Sequence, residues 1–175
     1  QHPTQTLLDL FSILKTQGKL ENLNICMVGD LKYGRTVHSL MMAMSRWNAS
    51  FNFVAPEELR MPDEYKLYLD NLGLNYRETS DLNSVIDKAD IIYMTRVQKE
   101  RFSDPMEYEK VKNAYVLHDY MLVNTKPGMR ILHPLPRVNE INPDVDSNEK
   151  AYYFEQALNG VFTRQAIICT LLGIK

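Results

Sequence analysis

The sequence lacks most of the features that would place it in a specialised class. Its two cysteines, Cys26 and Cys169, both lie in apolar segments, so a disulfide framework is excluded. They read instead as small buried hydrophobes in a reducing compartment, which implies a cytoplasmic protein. There is no surplus of either charge: 20 basic residues stand against 22 acidic ones, with a net charge of −2 and a pI near 6.1. Such a chain has no global field to draw in nucleic acid or an anionic membrane, so neither is expected as a partner and any anion site must be local. No apolar run approaches the roughly 20 residues needed to cross a bilayer. The N-terminus has no charged stretch leading into an apolar one, so neither secretion nor insertion is expected. Internal repeats, low-complexity tracts and flexible linkers are missing too. The chain opens on Gln1-His2-Pro3 without an initiator Met and reads as part of something longer.

What is present is 175 residues, 45% hydrophobic and 24% charged, the profile of one globular domain. The segments 23–29, 51–55, 89–95 and 129–133 are short, rich in β-branched or aromatic residues, and bounded by Gly, Pro, Asn or charge, which predicts buried strands. Residues 75–79 add a fifth. Between them, 36–47, 63–72 and 82–88 carry apolar residues at three- and four-residue spacings, which predicts helices with one buried face. This alternation implies an α/β fold: a doubly wound, Rossmann-like parallel sheet of about five strands, helices on both faces, and ligands at the carboxyl ends of the strands. Two apolar helices stand outside it. One starts at Pro3 and presents Leu7, Leu8, Leu10, Phe11 and Leu14 on more than one face. The other, 161–172, is apolar all round, as expected of a helix buried on two sides.

The stretch Val28-Gly-Asp-Leu-Lys-Tyr-Gly-Arg-Thr-Val-His-Ser-Leu40 lies between a strand and a helix and nearly spells a phosphate-binding loop. Gly29-x4-Gly34-Arg35-Thr36 differs from that pattern by an Arg in place of Lys. The change matters, because the loop's lysine acts as a point charge on phosphates whereas a guanidinium is a planar fork suited to carboxylates. Asp30 would also set a carboxylate where phosphates lie. The spacing is not that of a dinucleotide fingerprint, although Glu57 or Glu58 could stand in for a ribose-binding acid. The plain alternative is a tight turn with two structural glycines and a solvated Arg35.

Three other stretches favour a site. Thr95-Arg-Val-Gln-Lys-Glu-Arg101 follows a strand and gathers Arg96, Gln98, Lys99 and Arg101 in an otherwise balanced chain. His133-Pro-Leu-Pro-Arg137 ends another strand, and its prolines fix the directions of its carbonyls. His2 and Gln5 stand three residues apart at a helix start, where the dipole favours anions. Each taken singly fits a solvated loop, a rigid turn or a cap. Only a parallel sheet brings all of them, with Arg35, to one edge.

The strings "QHPTQTLLD" (1–9), "VGDLKYGRTVHSL" (28–40), "MTRVQKERF" (94–102), "ILHPLPRV" (131–138) and "YFEQALNGVFTRQA" (153–166) resemble, in order, the carbamoyltransferases. Within that family they resemble the branch that carbamoylates aspartate. The ornithine branch would carry Cys where Pro134 stands, together with an S-M-G loop that this sequence lacks. The resemblance implies an aspartate-binding domain at 21–158, an interdomain helix with carbamoyl phosphate contacts at 1–20, and a helix at 159–175 that returns to an amino-terminal domain. No S-T-R-T-R phosphate motif of that domain occurs here. It also implies carbamoyl phosphate and L-aspartate as substrates, a homotrimer of complete chains with neighbours lending a Ser and a Lys, and regulatory chains as possible partners. No metal or cofactor is called for.

By the same resemblance, His2 meets the carbamoyl oxygen and Gln5 the carbamoyl amide, while the carbonyls of Leu135 and Pro136 accept from the carbamoyl amine. Arg35 and Arg96 hold the two carboxylates of aspartate, assisted by Gln98, and Lys99, Glu100 and Arg101 belong to a loop that moves on domain closure. An ion pair at ~4 Å gains roughly 4 kcal/mol at an effective dielectric of 20, so a dicarboxylate calls for two cations. A nucleotide-binding regulatory module, an ornithine-type enzyme and a non-catalytic interaction domain remain as alternatives.

Overall fold

The computed structural model describes residues 2–98, 101–102 and 104–174. Five strands, β1 (Asn24–Val28), β2 (Ser50–Val54), β3 (Tyr76–Thr79), β4 (Ile91–Met94) and β5 (Arg130–Leu132), form one parallel sheet in the order β3-β2-β1-β4-β5. The predicted five-stranded α/β fold is therefore the observed one. Successive strand residues alternate between two cores. Ile25, Met27, Phe51, Phe53, Ile91 and Tyr93 face one side, and Cys26, Val28, Val54, Ile92 and Met94 face the other. Burial on both faces is why the strands read in sequence as continuous apolar runs rather than as alternating ones.

The two faces are covered differently. On the first lie α1 (Pro3–Gln17), α2 (Arg35–Met44) and α3 (Asp63–Asn71), through Ile13, Leu40, Met41, Met44 and Leu69. On the second the cover comes from short 3-10 turns, through Leu82, Ile86 and Leu122, from the bridged residues Leu117 and Ile141, and from Tyr153 at the start of the long α5 (Tyr153–Leu172). The helix expected at 82–88 is in fact two such turns, Leu82–Ser84 and Ile86–Lys88. Its apolar spacing is real, but Asp81 accepts from the Asn83 amide and Ser84 Oγ donates to the Asp81 carbonyl. These local side-chain bonds compete with helix propagation in so short a segment. A further helix, α4 (Pro105–Val111), has an Asp104 cap on the Met106 amide and Pro at its first turn, a start signal that the sequence reading passed over.

The helix expected at 161–172 begins eight residues earlier, so α5 runs unbroken across position 159. It packs on α1 through buried polar contacts, with Asn159 Nδ2 donating to Ser12 Oγ at 3.0 Å and Lys15 Nζ reaching Asn159 Oδ1 at 3.4 Å. Its second half is not buried on two sides in this chain. Val161, Phe162, Ile168, Leu171 and Leu172 are exposed, as are Leu7, Phe11 and Leu14 of α1. Between the two helices runs an apolar groove of about 510 Å³, floored by Leu7, Phe11, Phe162, Ala166, Ile167 and Leu171.

At the carboxyl end of β1 the chain must turn sharply beside β4. Gly29 makes the turn at φ +110° with its amide bonded to the Val54 carbonyl, and an added Cβ would lie 2.5 Å from the Thr95 carbonyl oxygen and 2.7 Å from its hydroxyl. Gly34, at the start of α2, meets the Asp30 carbonyl in the same way at 2.3 Å. Gly29→Ala is accordingly expected to lower the unfolding free energy by at least about 1–3 kcal/mol. Urea denaturation monitored through the single Trp47 measures this, and an unchanged midpoint would show that the turn can relax.

Candidate active site

Strand order places β1 and β4 side by side, and the chain leaves β1 toward one edge of the sheet and β4 toward the other. The crevice above such a reversal is where doubly wound domains bind ligands. Here it is a polar cleft of about 230 Å³. The turn after β1 and the start of α2 contribute Asp30, Tyr33, Gly34, Arg35 and Thr36, and the segment after β4 contributes Thr95, Arg96, Gln98 and Arg101. The turn after β5 contributes His133 to Pro136, and His2 enters from the N-terminus of α1. Of the residues singled out in the sequence, His2, Arg35, Arg96, Gln98, Leu135 and Pro136 thus share one cleft. Gln5 does not line it: one turn into α1, it is half-buried and its Nε2 donates to Asp9 Oδ1 at 2.8 Å. Lys99 and Glu100 lie outside the described residues.

Thr95 links the two arginine-bearing segments. Its hydroxyl donates to the Val28 carbonyl at 2.8 Å and accepts from the Asp30 amide at 2.9 Å, fixing the β1 turn against the residue that precedes Arg96. Asp30 is buried, and burial lifts its carboxyl above the usual range even though the Tyr33 amide donates to it. Three guanidiniums, of Arg35, Arg96 and Arg101, therefore surround a cleft whose acidic member is partly discouraged from ionising, so a strongly cationic patch sits in a chain of net charge −2. Arg101 Nε also donates to Gln98 Oε1 at 3.1 Å, which orients that amide. The resemblance places Arg101 in closure and interdomain contacts, and the sequence gives no individual site role to Thr95 or His133 and treats Asp30 only as an obstacle to phosphate. Only the fold brings these together.

The third wall is held by a buried pair. His133 Nδ1 accepts from the Leu135 amide at 2.8 Å, so the ring's proton sits on Nε2 and is donated to Glu140 Oε1 at 2.7 Å. Glu140 Oε2 accepts from the Val138 and Asn139 amides. Burial works against ionisation of Glu140, but the hydrogen bond from His133 and those from backbone amides outweigh it and hold its carboxyl below the usual range. Within the turn, Leu135 sits at φ +50° and the Leu135–Pro136 peptide is cis. At the opposite wall, burial and then the charge of Arg35 lower the pKa of His2, which favours the neutral imidazole. Among the described residues no group of three or more His, Cys, Asp or Glu side chains could hold a metal ion, and no helix is long and apolar enough to cross a membrane.

Fold and cleft together define a parallel α/β domain with an arginine-lined cleft at its β1/β4 switch point. Residues 21–171 match the family model described as the Asp/Orn-binding domain of aspartate/ornithine carbamoyltransferase, and the chain belongs to that family. Two of its curated relatives are on the aspartate side. The chain is 65% identical over 175 residues to the aspartate carbamoyltransferase catalytic subunit of Phocaeicola vulgatus, and 57% identical over 174 residues to that of Photobacterium profundum. Each comparison takes in 99% of this chain and 56% of the relative, so the chain spans a little over half the length of the curated proteins it matches. Among solved structures, the catalytic subunit of M. jannaschii aspartate transcarbamoylase superposes with a TM-score of 0.92 at 45% identity, covering 99% of this chain and 57% of that one. The Trypanosoma cruzi enzyme in complex with carbamoyl phosphate and aspartate gives 0.89 at 35% identity, covering 96% and 56%.

Beneath the cleft lies Asp9, fully buried on α1. Burial raises its pKa to about 7, against the opposing effect of hydrogen bonds from Gln156, Tyr93 and Gln5. The usual value is near 3.8. Because the folded state holds this proton more tightly than the unfolded one, Asp9 favours folding most at low pH. That contribution is lost as pH rises from about 4 to about 7, and it is constant above. Relative to the parent, Asp9→Asn should gain unfolding free energy across that window, by up to about 1.4 kcal/mol per pH unit, and then level off. Urea titrations at pH 5, 6, 7 and 8 measure the difference. A flat difference would place the Asp9 pKa in the ordinary carboxylate range.

Proposed function

We propose that this chain is the aspartate-binding part of an enzyme that transfers the carbamoyl group of carbamoyl phosphate to the amine of L-aspartate, giving N-carbamoyl-L-aspartate and phosphate. The observation that carries the reading is the convergence of Arg35, from the start of α2, and Arg96, from the end of β4, on one cleft that also receives the Leu135–Pro136 turn and His2. Two forks on separate elements suit the two carboxylates of aspartate, and Gln98, oriented by Arg101, assists. Between them the amine is aimed at the carbamoyl carbon. The new C–N bond forms as the C–O bond to phosphate breaks.

In this reading His2, neutral at working pH, donates its ring N–H to the carbamoyl oxygen as that oxygen gains charge, the moment at which such a bond contributes most. The carbonyls of Leu135 and Pro136 accept from the carbamoyl amine. Gln5, assigned to the carbamoyl amide by the resemblance, does not line the cleft, and with its Nε2 committed to Asp9 it holds the turn of α1 that carries His2. The T. cruzi enzyme has been solved in complex with carbamoyl phosphate, with aspartate and phosphate, and with N-(phosphonacetyl)-L-aspartic acid, which supports this substrate pair.

The divisions at 1–20, 21–158 and 159–175 enter the same proposal. The apolar groove of α1 and α5 receives the part of the relatives' length that these 175 residues do not span, complete chains assemble as a homotrimer with or without regulatory chains, and the enzyme works in the cytoplasm. The groove's exposed Phe11, Phe162 and Leu171 support the first of these statements.

In a complete catalytic chain, Arg96→Ala should raise the aspartate KM at least tenfold, with the carbamoyl phosphate KM within about threefold. Arg96→Lys should rescue little, since a point charge cannot reproduce a bidentate fork. Steady-state kinetics with each substrate varied decides, and unchanged aspartate kinetics would remove Arg96 from the site. The 175 residues alone should show no carbamoyl transfer in a radiolabelled assay. Mixing with a separately produced amino-terminal half from a relative should restore turnover that depends on the concentration of both pieces, whereas turnover by this chain alone would overturn the division.

A further inference from the structure

Three segments that carry substrate-facing groups in the proposed reading, the start of α1, the residues after β4 and the turn after β5, are tied together by two side chains that face no substrate. Asp9 Oδ1 accepts from Gln5 Nε2 at 2.8 Å and from Gln156 Nε2 at 2.6 Å, and Oδ2 accepts from the Tyr93 hydroxyl at 2.8 Å. Gln156 in turn accepts the His133 amide on Oε1 at 2.8 Å. Asp9 and Gln156 are 0% and 1% exposed, so none of these bonds competes with water. The chain of contacts starts on α1 beside His2, crosses β4 three residues before Arg96, passes through the first turn of α5 and ends on the peptide that begins the His133–Pro136 turn. We infer that Asp9 and Gln156 are positioning residues for the proposed reaction: their buried carboxylate–amide pair sets the Leu135 and Pro136 carbonyls at a fixed distance from the turn of α1 that carries His2, so that the amine and the oxygen of the carbamoyl group are gripped at once. The inference rests on the carbamoyl-transfer reading above.

The polarity of the pair is forced. An amide can turn over, but Gln156 has its oxygen committed to the His133 N–H, so its NH2 must face Asp9, and Oδ1 must accept. Gln5 is fixed by the same oxygen. This holds in either protonation state of Asp9, since a proton on Oδ2 can be donated to the Tyr93 hydroxyl while Oδ1 continues to accept from both amides. The arrangement is therefore a spacer with one permitted hydrogen-bond pattern. A merely space-filling pair would tolerate an apolar substitution of similar volume, and this one should not.

The test is steady-state kinetics in a complete catalytic chain, with thermal midpoints recorded in parallel. Gln156→Leu keeps the volume and removes both bonds. It should raise the carbamoyl phosphate KM about tenfold or more and leave the aspartate KM within about threefold. Gln156→Glu keeps an oxygen for the His133 amide and, when protonated, donates to Asp9 as the amide does. At pH 7 its carbamoyl phosphate KM should lie within about threefold of the parent's, and as the pH is raised to 9.5 the ratio of the two should grow to that seen for Gln156→Leu. Should Gln156→Leu fail to fold, Tyr93→Phe removes one donor from Asp9 and should raise the carbamoyl phosphate KM two- to fivefold. Equal values of that KM in parent and variants, or a Gln156→Glu defect independent of pH, would overturn the positioning role. A parent chain inactive with these substrates would instead overturn the function on which it rests.

Discussion

A buried carboxyl group held by neutral donors is the constraint on which the rest of this structure depends. Taking a carboxylate out of water is expensive, and without an opposing charge it must be repaid by hydrogen bonds or by taking up a proton. Asp9 does some of each, with three donors from three elements and a pKa lifted to about 7. Because each donor is itself locked by a further contact, α1, the centre of the sheet, α5 and the turn after β5 cannot shift independently without exposing an unpaired group. Apolar packing would hold these elements together at many relative offsets, whereas the polar network selects one.

Above that network the cleft works by contrast with the remainder of the chain. A nearly neutral surface gives little long-range attraction, so selectivity has to come from forks placed at close range. The β1 turn and the segment after β4 reach the cleft from adjacent parallel strands, and the Thr95 hydroxyl braces one against the other. The near-match to a phosphate loop is explained by this geometry. Gly29 and Gly34 are needed because neighbouring backbone leaves no room for a Cβ, whatever ligand the turn faces, and Arg35 rather than Lys is the fork that the proposed carboxylate ligand calls for.

Much of this was legible in the sequence because it depends on local pattern. The five strands followed from short apolar runs, and the convergence of Arg35, Arg96, His2 and the Leu135–Pro136 turn followed from placing strand ends of a parallel sheet together. What was not legible depends on long-range partners. Asp9 looked like an ordinary helix residue between Leu8 and Leu10, and nothing near it in sequence shows that Tyr93 and Gln156 would enclose it. Arg101 takes a closure role from the resemblance, and its place in the cleft depends on how the segment after β4 folds back, which no local pattern reveals. The segment 82–88 was mistaken for a helix because periodicity is blind to the competing bonds of Asp81 and Ser84. The early start of α5 was hidden by the aromatic pair Tyr152-Tyr153, which fits a strand as well as a helix.

The strand order has a consequence for how this protein meets copies of itself. A parallel sheet ends in two rows of backbone donors and acceptors, and both edges here are poor templates for a foreign strand. Beside β5, residue Ala151 forms a bridge to Ile131, and the Ala151–Tyr152 segment bonds back to that strand. At the other end β3 is four residues long and carries Arg77 and Glu78, so an incoming chain would gain few ladder bonds and would bring charge against charge. Cross-β stacking is thereby disfavoured at the sheet. What the fold leaves exposed and apolar lies instead on the helical face of α1 and α5, where side chains rather than unpaired backbone form the surface, so covering or uncovering it leaves every ladder bond of the sheet in place.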